Sequence, residues 1–508
     1  MQRILIVSPS PSHPAIQGNR KRIQEIGHIF LNLGYDVHFL WLAEEWRGII
    51  SASALEDMKA FWSSLFVVPP QGFSQPQITQ LSNVTKAYIE WLQTNYEYEV
   101  VWVHYAWYSA ICAEFEFFET VRVIDTHDCL ADRDCLMKSE HIDHANFYSL
   151  SQGQEATALK QADLVIACQP QDEAFFTDTY ALNTVRTIGQ PMPELSINKF
   201  YKKDCFSSFC AGFIGSNNAV NKESLHRLLE VFSIYKGILP SGFKLVLAGK
   251  MTDGFDFSAY GLDDFLQVLG AVDRVEDFYE SLDIVLVPLS FGTGLKVKAV
   301  EAMASCLPVL ATRHATIGLQ VSEPEHSYAS EKALVTGLLS IVQAQPKEQE
   351  EILQRLQASS LGIIDQYRSF TMAQVASVMK EIDAIAKRKK QSTMLTKDNL
   401  DALKEIDGPL YIYGAGLGGE IVWTGLSPEV QVRVQAFLDQ EPIQAELFSK
   451  PILKPDVLGQ ENKSSASVII ALMTAQGEKV RYLLEQQGYK EVYSARRYIR
   501  HKMLHVHS

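Results

Sequence analysis

The sequence predicts an α/β protein made of three Rossmann-like units, in which parallel strands alternate with helices. Short apolar runs alternate with amphipathic helical segments along most of the chain, and many of these runs end directly in glycine or polar residues. Two glycine-rich turns, at residues 292–294 and 414–419, each stand between an apolar run and a helical segment. A chain of 508 residues, with 47% hydrophobic and 21% charged residues, is long enough for about three globular domains.

The composition of the chain indicates which partners it can bind and in which compartment it lies. A formal net charge of −14 argues against a broad nucleic-acid surface, so we expect no nucleic-acid partner. The longest apolar stretch, residues 100–118, contains a histidine and two glutamates and is therefore not typical of a membrane span. The first predicted strand begins almost at Met1 and leaves no room for a secretory signal, which predicts a cytoplasmic protein. The seven cysteines form no CxxC pair, so we predict reduced thiols and no metal site.

The first unit, predicted over residues 1–205, begins with a strand at residues 3–7. After a proline-rich loop, helical spacing begins beyond Gly18, which lies at the strand's carboxyl end, where backbone can approach a ligand closely. Two later predicted strands also end in polar or aromatic residues at this edge, namely His104, Tyr105, Trp107, His127 and Asp128. Aromatic faces beside hydrogen-bonding groups suit sugar rings, so we expect an acceptor-side rim here, with His127 aimed into the crevice. Alternatively, Trp107 is a core residue of the helix that follows.

The second unit, predicted over residues 206–390, contains the stretch SFGTGLKVKAVEAMASCLPVLAT. This stretch predicts a strand, a glycine loop, a helix and a strand, so the helix begins at the carboxyl edge of a parallel sheet and its free N–H groups favour an anion. Lys296 and Lys298 lie in the predicted first turn, and Glu301 shares a face with Lys298. Lysine suits phosphate oxygens, and a carboxylate suits the two hydroxyls of a ribose. The alternative is a solvated amphipathic helix that binds no ligand.

Other predicted strands of the second unit bring polar loops to the same edge. They end in Gly215-Ser216, in Gly249-Lys250 and at Val272, before a short helix that starts at Val275. Helical segments between residues 331 and 388 complete the unit, and we expect the last of them to cross back onto the first unit.

Residues 391–408 are charged and polar and predict a linker. The third unit, residues 409–508, opens with an apolar run followed by G-x-G-x-x-G, in which the glycines are Gly414, Gly416 and Gly419. Asp439 ends the next predicted strand about twenty residues later, where it could reach a ribose hydroxyl. The third unit is therefore a candidate second nucleotide site, and the alternative is a tight strand-to-helix turn without a ligand.

The first two units resemble the retaining nucleotide-sugar glycosyltransferases of family 4, which have the two-domain GT-B fold. The resemblance covers about residues 1–390, and its specific part is G-x-G-x-K-x-K-x-x-E-A-M-A-x-x-x-P-V-x-A-T at residues 292–312, preceded by D-x-x-x-x-P-L at 283–289. The first unit matches more loosely, through V-I-D-T-H-D at 123–128 and A-D-L-V-I-A at 162–167. The third unit resembles, over a short stretch, the nucleotide-sugar-binding domains at the start of sugar acyltransferases.

The resemblance implies a metal-independent site for a nucleoside-diphosphate sugar, with UDP favoured, GDP as the alternative, and no further cofactor. It implies that Lys298 contacts the diphosphate, that Glu301 contacts the ribose, and that His127 closes over the sugar; these three are the expected catalytic residues. The implied donor-binding residues are Gly18, Ser216, Gly249, Lys250, Val272, Val275, Gly292, Thr293, Gly294, Leu295 and Lys296.

Two departures from the family pattern concern the donor site. Many members carry a glutamate that contacts the donor sugar where this chain has Thr293, and an arginine where it has Ser216. Lys222 is a candidate stand-in for that arginine. We therefore expect the cationic clamp to rest mainly on Lys298 and Lys296, and the identity of the sugar stays open.

The predicted function is retaining transfer of a sugar to a hydroxyl acceptor, in the synthesis of cell-surface glycans or glycoconjugates. Two other hypotheses are an NAD(P)-dependent oxidoreductase or epimerase that uses the C-terminal glycine fingerprint, and a non-catalytic nucleotide-sugar sensor. The acceptor (a lipid-linked glycan, a polysaccharide or a protein side chain) and the oligomeric state are left open. The basic runs 387–390 and 496–502 are either solvated surface or contacts with the inner face of a membrane.

Overall fold

The computed structural model describes residues 2–15, 17–45, 50–70, 78–115, 119–139, 142, 148–192, 208–272, 274–390, 395, 400–472, 476–489 and 491–504. These residues form three sheets, in which all strand pairs but one are parallel. The expected boundary between the first two units, at residues 205 and 206, lies outside the described residues. The six cysteines within them are free thiols.

The first sheet is built from seven strands, which are β1 Arg3–Ser8, β2 Asp36–Leu42, β3 Ser64–Val68, β4 Val100–His104, β5 Val121–Asp125, β6 Leu164–Ala167 and β7 Val185–Thr187. Its helices are α1 Gly18–Asn32, α2 Ala52–Phe61, α3 Asn83–Asn95, α4 Ala110–Glu114, α5 Arg133–Ser139, α6 Gln152–Leu159 and α7 Pro170–Tyr180. The strand order is β3-β2-β1-β4-β5-β6-β7. Because the order changes direction between β1 and β4, a crevice opens beyond the carboxyl ends of these two strands.

The second sheet has five parallel strands, which are β8 Phe209–Ile214, β9 Phe243–Ala248, β10 Leu266–Gly270, β11 Ile284–Val287 and β12 Val309–Ala311. They lie in the order β10-β9-β8-β11-β12, which has the same change of direction, between β8 and β11. Its helices are α8 Ala219–Tyr235, α9 Val275–Glu280, α10 Val297–Ala304 and α11 Glu331–Gln343. Helix α10 begins after Lys296, so this lysine precedes the first turn instead of lying in it.

A single long helix, α12 Pro346–Lys390, connects the two sheets. Near its start, Leu353 and Leu356 are buried in the core of the second sheet. Near its end, Val378 and Ile382 are buried in the core of the first sheet, where the helix packs against β5 and β7. The expected crossing of the last helix onto the first unit is therefore present. The helix includes the basic run 387–390, in which Lys389 lies 2.5 Å from Asp163 and is committed to an ion pair.

The third sheet has six strands, which are β13 Leu410–Tyr413, β14 Val434–Leu438, β15 Glu446–Leu447, β16 Lys450–Leu453, β17 Ser467–Ile470 and β18 Glu491–Ser494. Their order is β15-β16-β14-β13-β17-β18, and only β15 is antiparallel to its neighbour. The helices are α13 Leu417–Gly425, α14 Pro428–Arg433, α15 Gln460–Ser465, α16 Gln476–Gln486 and α17 Arg496–Leu504. This sheet contacts the first unit through Lys479, which lies 3.9 Å from Glu114, and through the Arg496 guanidinium, which donates to the Gln93 carbonyl.

The predicted linker differs from a solvated segment where the structure describes it. Residues 391–394 and 396–399 lie outside the described residues, but Leu395, Leu400 and Leu403 are buried in the core of the third sheet. Apolar side chains at these positions therefore hold part of the segment against the third unit. No helix within the described ranges combines the length and the apolar character that a membrane span requires.

Candidate active site

The cleft between the first two sheets contains two adjoining cavities. The first has a volume of about 410 Å³ and is lined mainly by α1, by the loops after β8 and β9, and by α9 and α10. The second has a volume of about 530 Å³ and is lined mainly by the loops after β1, β4 and β5 and by the start of α10. Gln17, Ser216 and Asn217 line both cavities, so one ligand could extend from one cavity into the other.

Glu301 on α10 is the buried carboxylate of the first cavity. It is 3% exposed, its Oε2 accepts from Lys298 Nζ at 2.7 Å, and its Oε1 accepts from Lys21 Nζ at 2.5 Å. Burial alone would raise the pKa of Glu301, but Lys298 and Lys21 outweigh it and lower the pKa to about 2. The carboxylate is therefore ionised throughout the physiological range. Lys298 and Glu301 share one face as predicted, whereas Lys21 was missed because its partner lies 280 residues away along the chain.

The other predicted donor residues of the second unit fall into two groups. Ser216, Gly249, Lys250, Val272 and Val275 line the first cavity. Gly249 has φ of 86° and donates its N–H to the Gly270 carbonyl at 2.6 Å, and a Cβ at this position would lie 2.2 Å from the Gly215 carbonyl oxygen. Only glycine allows the loops after β8 and β9 to come this close.

The glycine loop before α10 is held from within, and this differs from the expectation. Lys296 Nζ donates to the carbonyls of Gly292, Thr293 and Gly294 at 3.0, 2.9 and 2.7 Å, which uses all three of its N–H bonds. Burial lowers the pKa of Lys296 to about 8, although Asp128 and Asp172 favour its charge. Lys296 lines neither cavity. Its contacts hold the glycine loop, whereas the prediction was that it faces a bound donor.

The remaining residues of this loop also differ in position. Gly292, Thr293 and Gly294 line neither cavity, whereas Leu295 lines the second one together with Gly18. Leu295 and Gly18 come from opposite sides of the cleft, so the two units approach each other at the second cavity.

The predicted aromatic rim lies in the second cavity, but its faces are already occupied. Tyr148, Trp107, Tyr105 and His127 form a stack with successive centroid distances of 4.4, 4.2 and 4.1 Å and interplanar angles of 17°, 23° and 18°. The two inner rings stack on neighbours and offer mainly their edges, so the expected face-to-face packing of a sugar on Tyr105 or Trp107 is not available. Trp107 is only 7% exposed, which brings it close to the alternative that it is a core residue.

His127 lies at the end of this stack with φ of 59°, a left-handed conformation that turns the chain after β5. Its Nε2 lies 2.8 Å from Nδ1 of His104, which is fully buried and lines neither cavity, so His104 supports His127 instead of forming part of the expected rim. Asp128 and His127 both line the second cavity.

A buried ion pair lies beneath the two histidines. Arg22 Nε donates to both carboxylate oxygens of Asp125, at 2.9 and 3.0 Å. Burial lowers the pKa of His104 to about 4 and that of His127 well below its usual value, so both rings are neutral near pH 7. His104, Asp125 and His127 have candidate metal-ligating atoms within 4.8 Å of one another. Because Arg22 already engages both oxygens of Asp125, we interpret the group as hydrogen-bonded support for His127.

The glycine fingerprint of the third sheet forms a tight turn. Gly414 has φ of 105°, and a Cβ on Gly419 would lie 2.2 Å from the Gly414 carbonyl oxygen, so these two glycines are explained by the turn itself. Asp439 accepts from the backbone N–H of Ala415 at 3.1 Å and therefore binds the loop's own amide. Gly416 immediately precedes α13. The geometry is thus accounted for without a ligand.

Comparison with known proteins found a family model and solved structures that are similar to part of this chain. Residues 209–344 match the family model for glycosyl transferases group 1. Sucrose-phosphate synthase from Thermosynechococcus elongatus is similar to 76% of this chain over 100% of its own length, with 15% identity and a TM-score of 0.55. A glycosyltransferase from Rickettsia africae is similar to 75% of this chain over 98% of its own, with 13% identity and a TM-score of 0.51.

The HepE protein of Anabaena, solved in complex with UDP, is similar to 74% of this chain over 100% of its own, with 13% identity and a TM-score of 0.50. Among curated proteins, none matches the chain at a significant level. The first two units therefore have the GT-B fold, and residues 209–344 within the second unit match the model of glycosyl transferases group 1.

Proposed function

We propose that this protein is a retaining glycosyltransferase that moves a sugar from a nucleoside-diphosphate sugar to a hydroxyl acceptor. The observation that carries the proposal is the buried Glu301 carboxylate, which two lysines keep ionised at the wall of a cavity between the two units. A buried carboxylate suits the paired hydroxyls of a ribose, and adjacent ammonium groups suit a diphosphate. The match of the second unit to glycosyl transferases group 1 supports the same assignment.

In the proposed reaction, residues 206–390 bind the donor and residues 1–205 face the acceptor. Glu301 accepts hydrogen bonds from the ribose, and Lys298 stabilises the negative charge that develops on the departing nucleotide. The departing phosphate takes the acceptor's proton on the same face of the sugar, so the protein contributes positioning and charge more than a dedicated base. His127, which is neutral near pH 7, acts on the sugar through a hydrogen bond and not through a charge.

UDP is the favoured nucleotide of the donor, and GDP is the alternative. The similar HepE protein was solved in complex with UDP, which supports this choice. The proposal assigns the balancing of the nucleotide's charge to lysines and requires no metal. A role in cell-surface glycan or glycoconjugate synthesis, at the inner face of a membrane, is the setting that we propose for the acceptor.

Nucleotide release from UDP- and GDP-sugars in the presence and absence of EDTA tests this function. We expect Lys298→Ala to slow release by about 100- to 1000-fold, because it removes one group that stabilises the leaving nucleotide. Lys59→Ala is the control, since Lys59 pairs with Glu56 at the surface of α2. NMR of the product should show the anomeric configuration of the donor.

Two results would count against this assignment. Equal release by Lys298→Ala and the unchanged protein would remove Lys298 from the reaction. Tight nucleotide binding without turnover of any tested sugar would favour the sensor hypothesis.

A further inference from the structure

We propose that Lys21 on α1 is the second cation of the donor diphosphate site, contributed from the unit opposite Lys298. This inference rests on the proposed function and extends it. The donor would then be bound by one lysine from each unit, so that diphosphate binding and the approach of the two units are the same event.

The position of Lys21 supports this role. It lies in the first turn of α1, three residues after Gly18, and it lines the first cavity. Its Nζ reaches across the cleft to Glu301 Oε1 at 2.5 Å, while Lys298 occupies Oε2 at 2.7 Å. Two ammonium groups that bind the two oxygens of one carboxylate are close enough to meet the same diphosphate.

Three other candidate residues of the second unit do not supply this cation. Ser216, at the position where the family resemblance implies an arginine, lines the first cavity but is uncharged. Lys222, the candidate stand-in, lines neither cavity, and its Nζ donates to the Asp253 carbonyl at 3.3 Å. Lys296 has all three N–H bonds engaged by its own loop. Lys250 and Arg274 also line the first cavity, but Lys21 is the cation of the described residues that shares the Glu301 carboxylate with Lys298.

The charges of the cluster also favour an anion. Two ammonium groups and one carboxylate give Lys21, Lys298 and Glu301 a net charge of about +1 when all three are ionised. A diphosphate brings negative charge to this site, and low solvent exposure strengthens the attraction. Glu301 is 4% exposed in its side chain and Lys21 is 25% exposed, so the site is partly shielded from water.

The same contacts describe an exchange of partners. In the structure, Lys21 holds Glu301 Oε1, the carboxylate oxygen that a ribose hydroxyl would use. When the ribose binds Glu301, its hydroxyl takes the place of Lys21 on Oε1, and the released ammonium group turns to the phosphates that arrive with it. Lys21 thus has two successive partners in the proposal, first Glu301 and then the phosphates.

Calorimetric binding of UDP and of uridine to the full-length protein tests the inference. Lys21→Gln keeps a hydrogen-bond donor for Glu301 but removes the charge, and Lys21→Met removes both. We expect each variant to bind UDP at least about tenfold more weakly, with uridine binding unchanged or tighter, because only UDP carries the diphosphate. Lys21→Arg should recover most of the UDP affinity, and the difference between UDP and uridine should shrink as salt concentration rises.

Two matched variants serve as controls. Lys59→Met removes a surface lysine and should leave both affinities unchanged. Lys222→Met tests the other candidate cation and should also leave them unchanged, and a loss of UDP affinity confined to Lys222→Met would overturn the proposal.

Equal changes in UDP and uridine affinity in the Lys21 variants would also overturn it, since Lys21 would then only hold Glu301. If the unchanged protein binds UDP but the Lys21 variants bind it equally well, the inference fails and the proposed function stands. If the unchanged protein binds neither UDP nor GDP, the proposed function fails with it.

Discussion

Thr293 connects the two sides of the cleft through a single hydrogen bond. Its hydroxyl donates to Asp128 Oδ2 at 3.0 Å, and Arg133 pairs with the same oxygen at 3.1 Å. Asp128 Oδ1 is buried and has no hydrogen-bond partner among the described residues. A carboxylate oxygen therefore lies beside Thr293, the position at which the family resemblance implies a glutamate. It comes from the first unit, as the Lys21 ammonium group does.

Asp172 is a buried carboxyl group whose charge should cost stability. It is 6% exposed, its Oδ1 accepts from Gln169 Nε2 at 2.9 Å, and its Oδ2 has no partner within the part of the chain that the structure describes. Burial, with a smaller effect of Asp128, raises the pKa of Asp172 to about 6, from 3.8. Because the folded state holds this proton more tightly, stability falls as pH rises from about 4 to 6, and the full cost remains above pH 6.

We therefore expect Asp172→Asn to stabilise the protein at pH 8 but not at pH 4. The gain at pH 8 should be about 1 to 3 kcal/mol, since a shift of two pKa units corresponds to about 2.7 kcal/mol. Urea denaturation followed by circular dichroism at both pH values measures it. Asp178→Asn, at an exposed position on the same helix, is the control and should change the free energy of unfolding by less than about 0.5 kcal/mol at either pH. An equal gain at both pH values would mean that the raised pKa is not its cause.

At the scale of elements, the contact between the loops after β8 and β9 depends on Gly249. Its backbone, with φ of 86° and ψ of 168°, lies in a region that is almost exclusive to glycine. Gly249→Ala adds strain and a Cβ that would lie 2.2 Å from the Gly215 carbonyl oxygen. We expect it to lower the free energy of unfolding by about 3 kcal/mol and to weaken UDP binding at least about tenfold, because the first cavity is framed by these loops.

Gly254 offers a matched control for this prediction. It also has a positive φ, of 67°, but nothing lies within 4 Å of a Cβ placed there. Gly254→Ala should therefore cost only about 1 kcal/mol and leave UDP binding unchanged. If both variants behave alike in denaturation and in calorimetry, backbone strain alone explains the effect and the close approach of the loops does not.

The elements also differ in how far sequence patterns could predict them. The sequence predicts β1 at residues 3–7 and the structure has it at Arg3–Ser8, because a strand covered on both faces is a continuous apolar run. β3 was missed since most of its residues are only half-buried, and β7 since it has three residues. The face shared by Lys298 and Glu301 follows from helical spacing. The position of Lys296 does not follow from helical spacing, because it depends on the residue at which α10 begins.

Contacts between distant parts of the chain also limit how much of the site can be predicted from the sequence. Nothing in the local sequence around Lys21 or Arg22 indicates that their partners are Glu301 and Asp125. Both follow Gly18 on α1, and only the folded chain shows that Arg22 pairs with Asp125 at the wall of the second cavity, while Lys21 lines the first cavity. A helix that begins at a sheet edge can thus present adjacent cations to two different environments.

At the scale of the whole molecule, α12 determines how the first two units lie relative to each other. Its Tyr367 hydroxyl accepts from the backbone N–H of Gln190 at 2.6 Å, and its Gln374 side chain accepts from the N–H of Gly189 at 3.0 Å. The Gly189 carbonyl in turn accepts from Arg22 at 2.9 Å. The segment after β7 is therefore held between α12 and α1. Since α1 also carries Lys21, this contact connects α12 to the proposed donor site, although none of its residues belongs to the proposed diphosphate site.

Gly189→Ala should disturb this contact, because a Cβ there would lie 2.6 Å from the Tyr367 hydroxyl and 2.9 Å from the Thr371 hydroxyl. Either α12 or the segment must shift, and a shift of about 1 Å at the reacting groups can cost up to about a hundredfold in rate. We expect kcat/KM for the sugar donor to fall about tenfold to a hundredfold, although Gly189 lines neither cavity. Gly362→Ala, on α12, is the control, because Gly362 is exposed and nothing lies within 4 Å of a Cβ placed there. It should raise stability by about 0.5 to 1 kcal/mol and leave kcat/KM unchanged. If Gly189→Ala lowers stability but not kcat/KM, the relative position of the two units does not depend on this contact.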